Sequence, residues 1–245
     1  MNVAAKLTTG RLALASVVGT TLEYFDFAVY NTFAALIFNR LFFPSFDPAI
    51  GTILAFATFA VGYLSRPVGG FVFGHLGDRR GRRFVLVATL LLMGITTAAM
   101  GLLPTYDAIG VASPVLLVSL RFVQGMALGG EWAGAVLLSI EHGDPQRRGR
   151  NGAWAQMGPS IGTLMALGSV ALLSWLLSAD DFLAWGWRIP FFASVILVIF
   201  GFWVRVGVEE TPPFRELERQ GNRASAPISE VFADHWRALL RVAGV

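Results

Sequence analysis

The chain has 245 residues, 55% of them hydrophobic and 14% charged, a mean hydropathy of +0.61, a formal net charge of +3 and a pI near 9.8. That balance lies outside the range of an ordinary soluble domain and reads as a polytopic membrane protein. Cysteine is absent and the three histidines, His75, His142 and His235, are scattered, which excludes disulfides and thiol chemistry and leaves no metal or cofactor expected. The basic residues are nearly all arginine and cluster between apolar runs instead of covering one face, which argues against nucleic acid and for positive-inside sorting.

Crossing a ~30 Å hydrocarbon core takes about 20 apolar residues. Six spans meet that length, over Leu12–Phe38, Ile50–Gly74, Phe84–Pro104, Ser113–Ile140, Gly152–Leu177 and Ile189–Val206. Lys6 and Arg11 precede the first, which could suggest a secretory signal. It is too long for a signal-peptide core and has acids inside it, so it reads as a retained helix.

Within that first span Glu23, Asp26 and Tyr30 fall at i, i+3 and i+7 and share one helix face, with Asn31 beside them. Lipid is the wrong neighbour for two carboxylates, so the face should turn to the bundle interior or a water-filled cavity. Span two carries Arg66. It ends in Gly74-His75-Leu76-Gly77-Asp78-Arg79-Arg80-Gly81-Arg82-Arg83, where arginines that would each cost roughly 2.5–3.5 kcal/mol at mid-depth mark a membrane boundary. The glycines of this turn suit a close meeting of two helix ends.

Span four contains Arg121, Gln124, Leu128 and Glu131 on one face, with Gly125, Gly129 and Ala133 as a neighbouring small-residue strip suited to close helix packing. A rise of 1.5 Å per residue places Asp26 roughly 20 Å and Arg121 roughly 25–30 Å from the cytoplasmic ends of their spans, so the two could meet near mid-membrane. Arg66 and Arg121 are then two buried cations against three buried acids, Glu23, Asp26 and Glu131. One acid is left over, and an acid without a partner in low dielectric is the kind of group that carries a proton. In span five Pro159 predicts a kink and Gln156 is a candidate cavity group.

The loops alternate in charge. One side carries Arg79, Arg80, Arg82, Arg83, then Arg147, Arg148, Arg150, then Arg215, Arg219 and Arg223; the other carries Arg40 and Arg188 with Asp47, Asp107, Asp180 and Asp181. Both termini are therefore expected in the cytoplasm. Trp185 and Trp187 fall where an interfacial aromatic belt is expected. The bundle is expected over residues 1–207, with 208–245 a cytoplasmic linker leading into a seventh helix that is cut short.

The basic turn at Gly74–Arg83 resembles the loop between helices 2 and 3 of the major facilitator superfamily, and Arg121 with glycines four and eight residues later resembles that superfamily's fourth-helix motif. Glu23-Tyr24-Phe25-Asp26-Phe27, Arg66-Pro67-Val68-Gly69-Gly70, Gly129-Gly130-Glu131-Trp132 and Trp185-Gly186-Trp187-Arg188-Ile189-Pro190-Phe191 are together similar to the metabolite:proton symporter family, whose members take up shikimate, α-ketoglutarate, citrate, proline and betaine. The resemblance runs from about Gly19 to Phe214 and is to the amino-terminal half. It implies an all-α membrane fold of two six-helix halves, each made of two inverted three-helix repeats, with substrate bound between the halves near the midplane. It further implies gating by Gly74, Gly77, Asp78, Gly81 and Arg82, and proton coupling at Arg121.

The expected function is thus proton-coupled symport of a small polar organic metabolite, a carboxylate or zwitterion, with this chain forming one wall of the site. Proton coupling is expected from Asp26, Glu23, Arg121 and Glu131, and substrate contact from Tyr30, Asn31, Arg66, Gln124 and Gln156. The expected partners are substrate, protons, the lipid of a plasma (inner) membrane and a second six-helix half. A non-transporting six-helix sensor or assembly partner is the alternative. An enzyme is disfavoured: no Ser-His-Asp set appears, and the glycine-rich turn lacks the strand that a dinucleotide site requires.

Overall fold

The computed structural model describes the backbone of residues 3–141, 153 and 156–206; the side chains of 3–13, 15, 16, 82, 131–141 and 204–206 fall outside the description. Among the described residues all regular structure is helical: α1 (Val3–Leu36), α2 (Phe38–Phe42), α3 (Pro48–Leu64), α4 (Arg66–Arg80), α5 (Arg82–Leu102), α6 (Tyr106–Ile109), α7 (Ala112–Glu141), α8 (Met157–Leu176), α9 (Ala179–Ala184), a 3₁₀ turn (Gly186–Arg188) and α10 (Ile189–Val206). The expected linker over 208–245 lies outside this set, as do Arg147, Arg148 and Arg150.

Among the described residues five stretches are long and apolar enough to cross a membrane: Pro48–Arg80, Arg83–Leu102, Ala112–Gly130, Met157–Leu176 and Gly186–Trp203. The sixth place is taken by α1, whose apolar run is interrupted by Glu23 and Asp26 and which packs against α3, α7, α8 and α10. Span two is longer than its composition suggested. It runs from Pro48 to Arg80 as α3 and α4, with an irregularity at Ser65, two residues before Pro67, where the missing proline N–H removes a helix hydrogen bond. Asp47 caps the start of α3, its Oδ1 accepting from the Ala49 N–H at 2.9 Å. Pro159 stands in the first turn of α8 as described, where a proline costs no helix bond, so the kink expected from it is not part of the described helix.

The chain leaves α4 and enters α5 through a single residue, Gly81, at φ 98°, a conformation that side chains with a Cβ rarely adopt. Close approach of backbones governs the contact of α7 with α3 and α4. A Cβ on Gly125 would lie 2.0 Å from the Gly62 carbonyl oxygen, one on Gly129 2.0 Å from that of Arg66, and one on Gly69 1.8 Å from that of Met126. Gly125 and Gly129 of the small-residue strip expected on span four thus form a seam in which helix backbones touch, while the Ala133 side chain lies outside the description.

At the end away from the arginine-rich turn, Phe33, Phe38, Phe42, Phe182, Trp187 and Phe191 form a buried aromatic cluster. Trp187 is fully buried there, edge-on to Phe42, so it is a core residue and not part of an interfacial belt; Trp185 is 47% exposed. The neighbouring Arg188 is not a free loop charge either. Its guanidinium donates to the carbonyls of Gly101 and Leu103, both at 2.9 Å, closing the last turn of α5. The outward faces of the bundle are apolar, with Trp175 and Ile196 mostly exposed, as lipid contact requires.

We expect Gly129→Ala to lower the stability of the purified, detergent-solubilised protein by about 1–3 kcal/mol, the usual cost of overpacking, read as a fall in melting temperature. Gly168→Ala, whose added methyl meets nothing within 4 Å, is the control. Equal melting temperatures for the two variants would remove the close-packing account of the seam.

Candidate functional site

Two adjoining arrangements collect most of the residues expected to act. The first is a buried polar chain that crosses three helices. Thr97 of α5 donates its hydroxyl to Asp26 Oδ2 of α1 at 2.7 Å, and Gln124 of α7 donates from Nε2 to Thr97 Oγ1, also at 2.7 Å. Arg121 in turn donates from Nη1 to Gln124 Oε1. All four side chains are at most 3% exposed. Asp26 and Arg121 do come together as their depths suggested, with Thr97 and Gln124 between them.

Arg121 is held on its other sides by rings. Its guanidinium carbon lies 3.8 Å from the Tyr30 centroid, 4.6 Å from that of Phe27 and 5.1 Å from that of Phe59. Tyr30 is itself fixed, its hydroxyl hydrogen-bonded to Thr58. Cation–ring attraction is worth most when the ion is desolvated, as here. Nε and Nη2 of Arg121 are buried with no hydrogen-bond partner among the described residues. Gly62 leaves room for this side chain, since a Cβ there would meet Arg121 Cγ and Nε at 3.3 Å.

The second arrangement is a cavity of about 290 Å³ lined by Glu23, Tyr24, Phe27, Ala28, Asn31 and Thr32 of α1, Tyr63 of α3, Arg66 of α4, and Thr163 and Leu167 of α8. Glu23, Asn31 and Arg66, three of the expected residues, therefore meet in one space. Arg66 lies 4.0 Å from the Tyr63 centroid and 4.8 Å from that of Phe27. Asn31 Oδ1 is a buried acceptor with no hydrogen-bond partner among the described residues. Thr32 already spends its hydroxyl on the Ala28 carbonyl at 2.7 Å. A cation, a carboxylate, an amide and aromatic faces around one space can recognise a small ion or zwitterion.

Tyr30 and Gln124 are placed differently from expectation. Both are buried behind the cavity, engaged with Thr58 and with Thr97 and Arg121, and neither lines it. Gln156 is exposed at the start of α8, also off the lining. The Glu131 and Arg82 side chains lie outside the described residues. In the basic turn Gly77 is buried and its carbonyl accepts from the Gly81 N–H at 3.0 Å; Asp78 is half-buried, and Gly74 faces open space. The close approach expected of Gly74 is thus absent among the described residues, whereas Gly81 is required by its backbone angle.

A sequence model of the sugar (and other) transporter family matches residues 12–234. The chain belongs to this family. It is 45% identical to the inner membrane metabolite transport protein YhjE of Escherichia coli over 93% of this chain and 52% of that protein, and 45% identical to the shikimate transporter of the same organism over 95% and 53%. The proline/betaine transporter of Escherichia coli is 39% identical over 94% and 48%. The chain thus spans about half the length of the curated relatives it matches, and the resemblance to the amino-terminal half of metabolite:proton symporters agrees with them. The fold is that of the major facilitator superfamily. The proton:xylose symporter XylE bound to 6-bromo-6-deoxy-D-glucose superposes with a TM-score of 0.74 at 17% identity, covering 89% of this chain and 48% of XylE. The inward open conformation of XylE from E. coli matches equally, at 0.74 and 16% identity over 93% and 57%. The family is one of transporters, not enzymes, and its membership does not favour the sensor alternative.

Sequence reasoning missed Thr97 and Thr58 in the buried polar chain and its surroundings, and Phe27, Tyr63 and Thr163 in the cavity lining. Pairing by charge cannot find a threonine hydroxyl, because threonine is ordinary in an apolar helix; only the three-dimensional meeting of α1, α5 and α7 singles out Thr97 over its neighbour Thr96.

Phe27 touches both guanidiniums and lines the cavity, so Phe27→Leu, which keeps bulk and loses the ring, is expected to cost about 1–2 kcal/mol through lost cation–ring contact. Thermal unfolding of the purified protein measures this. An unchanged melting temperature would mean that the rings contribute packing alone.

Proposed function

We propose that this chain forms one half of a proton-driven symporter that takes up a small, polar organic metabolite, a carboxylate or zwitterion, by alternating access. The observation that carries the reading is the adjacency of a buried Asp26-to-Arg121 chain and a cavity lined by Glu23, Asn31 and Arg66. A relative named as a shikimate transporter and another named as a proline/betaine transporter support the substrate class. In this reading Arg66 receives a substrate carboxylate, Asn31 Oδ1 accepts a substrate hydroxyl or N–H, and the Phe27, Tyr24 and Tyr63 rings face its apolar or cationic part. The cavity is one wall, and a second six-helix half closes it.

Asp26 is the proposed proton carrier, with Glu23, Arg121 and Glu131 setting its surroundings. Protonation neutralises one end of the buried chain, which permits α1 and α7 to shift relative to each other. The turn at Gly74–Arg83 is the proposed gate, its glycines letting α4 and α5 close and Asp78 anchoring the closed form. Arginine placement supports an inner-membrane protein with both termini in the cytoplasm.

Uptake assays on the complete, full-length transporter, run with radiolabelled shikimate, proline and glycine betaine with and without a proton gradient, test this. Asp26→Asn is expected to abolish accumulation against a gradient while membrane levels persist; full accumulation would remove Asp26 from coupling. Loss of charge-assisted bonds in Arg66→Ala should raise KM on the order of 10- to 100-fold, from roughly 1.5–3 kcal/mol. A wild-type KM would place the substrate carboxylate elsewhere. For Asp78→Asn, slowed turnover with KM retained is the expected result, and unchanged turnover would reduce the turn to a topological signal.

A further inference from the structure

Thr97 and Gln124 stand between the acid and the cation, and every hydrogen bond in the chain points the same way. Arg121 donates to Gln124, Gln124 donates to Thr97, and Thr97 donates to Asp26. A head-to-tail order of this kind polarises each bond through the next. Thr97 is 1% exposed and Gln124 1%, and neither lines the cavity, so neither is placed to meet substrate.

Thr96 supplies the internal comparison. Its hydroxyl stays with its own helix, bonded to the Leu92 carbonyl at 2.8 Å and that of Met93 at 2.9 Å, the ordinary fate of a threonine in an apolar helix. The Thr97 hydroxyl instead leaves the helix to bridge two others. We propose that Thr97 and Gln124 are positioning residues that transmit the protonation state of Asp26 to Arg121. This rests on the proton-coupled reading above and assigns to Gln124 a role other than the substrate contact its sequence position suggested.

The titratable groups acting on Arg121 are Asp26 and Tyr30 of α1, Tyr63 of α3 and Arg66 of α4, with Glu23 buried one turn before Asp26 on α1; α8 carries no titratable residue. While Asp26 is a carboxylate, its bond from Thr97 is charge-assisted and roughly twice as strong as a neutral one. A proton added to a carboxyl oxygen of Asp26 cancels the charge at that end. If it sits on Oδ2 it becomes the donor, and the Thr97 hydroxyl hydrogen must swing to a carbonyl of its own helix, as that of Thr96 already does. Gln124 then donates to a hydroxyl that no longer leads to a charge. Arg121 loses the far end of the tether that holds it over Tyr30, and α7 is released from α1. The O–H of Asp26 is the one covalent bond made or broken; the other changes are exchanges of hydrogen-bond partners.

The deciding variants are Thr97→Val, which keeps shape and removes the hydroxyl, and Thr97→Ser, which restores it, with Thr96→Val as control. In the full-length protein, with whichever of shikimate, proline and glycine betaine it accumulates as the probe, Thr97→Val should lose at least 10-fold in proton-driven accumulation while substrate exchange across the membrane stays within about twofold, on the factor-of-ten scale of one lost buried bond. Thr97→Ser should recover most of the accumulation, and Thr96→Val should behave as wild type. Gln124→Leu should give the same uncoupling, and the double variant with Thr97→Val should be no worse than either alone, because the two interrupt one chain. Wild-type accumulation in Thr97→Val, or additive losses in the double variant, would overturn the relay while leaving proton coupling intact. If exchange also collapses in Thr97→Val, the Ser variant decides: failure to recover accumulation with exchange restored likewise overturns it. Accumulation in the unaltered protein that ignores the proton gradient strikes the functional reading itself.

Discussion

A guanidinium buried without exposure in the middle of a hydrophobic bundle is the constraint around which this chain is organised. Removing a cation from water is costly, several kcal/mol even after relaxation, and the cost is offset only by partners on several sides. Arg121 finds them on three helices: Gln124 on its own helix, the Tyr30 and Phe27 rings on α1, and Phe59 on α3. The glycine seam serves the same end. Gly62 leaves the volume that the arginine stem occupies, while Gly125 and Gly129 draw the α3 and α4 backbones onto α7. A looser seam would separate the rings from the charge and admit water to it.

The seam also fixes where the cavity lies. Once α7 is pressed against α3 and α4, α1 is held with its carboxylates inward by Thr97 on one side and by α8 on the other, where a Cβ on Gly162 would fall 2.3 Å from the Thr21 carbonyl oxygen. The face of α1 bearing Glu23, Phe27 and Asn31 is then left to Arg66 and α8, and the cavity opens there. Phe27 belongs to both arrangements, touching Arg121 behind and Arg66 at the cavity. In the proposed reading, a substrate charge that draws on Arg66 acts on the same ring that Arg121 rests against.

Much of the fold was readable because membrane spans are written in long apolar runs and punctuated by arginine. The starts read for α7 and α10, both limits of α5 and the end of α8 lie within two residues of the helices. The first span was harder, since Glu23 and Asp26 break its apolar run, and α1 continues back to Val3. The geometry of the site was legible where it depended on charge in an apolar span, as at Asp26, Arg66 and Arg121, and not where neutral side chains bridge the helices. Nothing in the pattern separates Thr97 from Thr96, where a difference of about 100° around the helix axis decides, or Trp187, which is core, from Trp185, which is exposed, where the short turn between α9 and α10 decides. Tyr30 and Gln124 were assigned to the cavity because polarity alone cannot tell a group that faces water from one that faces a buried ion.

The use of neutral groups between Asp26 and Arg121 has a physical rationale. A direct carboxylate–guanidinium pair in low dielectric is a deep well, and breaking it leaves two uncompensated charges, at a cost of about 3–5 kcal/mol when one partner is removed. Such a contact would lock α1 to α7 and oppose any cycle that has to part them. With a hydroxyl and an amide in between, the attraction is spread over three weaker bonds, and at least the first can find a local substitute, since the Thr97 hydroxyl has carbonyls of its own helix within reach as that of Thr96 does. The remaining donors of Arg121, Nε and Nη2, make no hydrogen bond among the described residues. The buried charge is thus held by rings and one neutral chain in place of a direct ion pair, the arrangement from which the proposed coupling to a proton on Asp26 draws its plausibility.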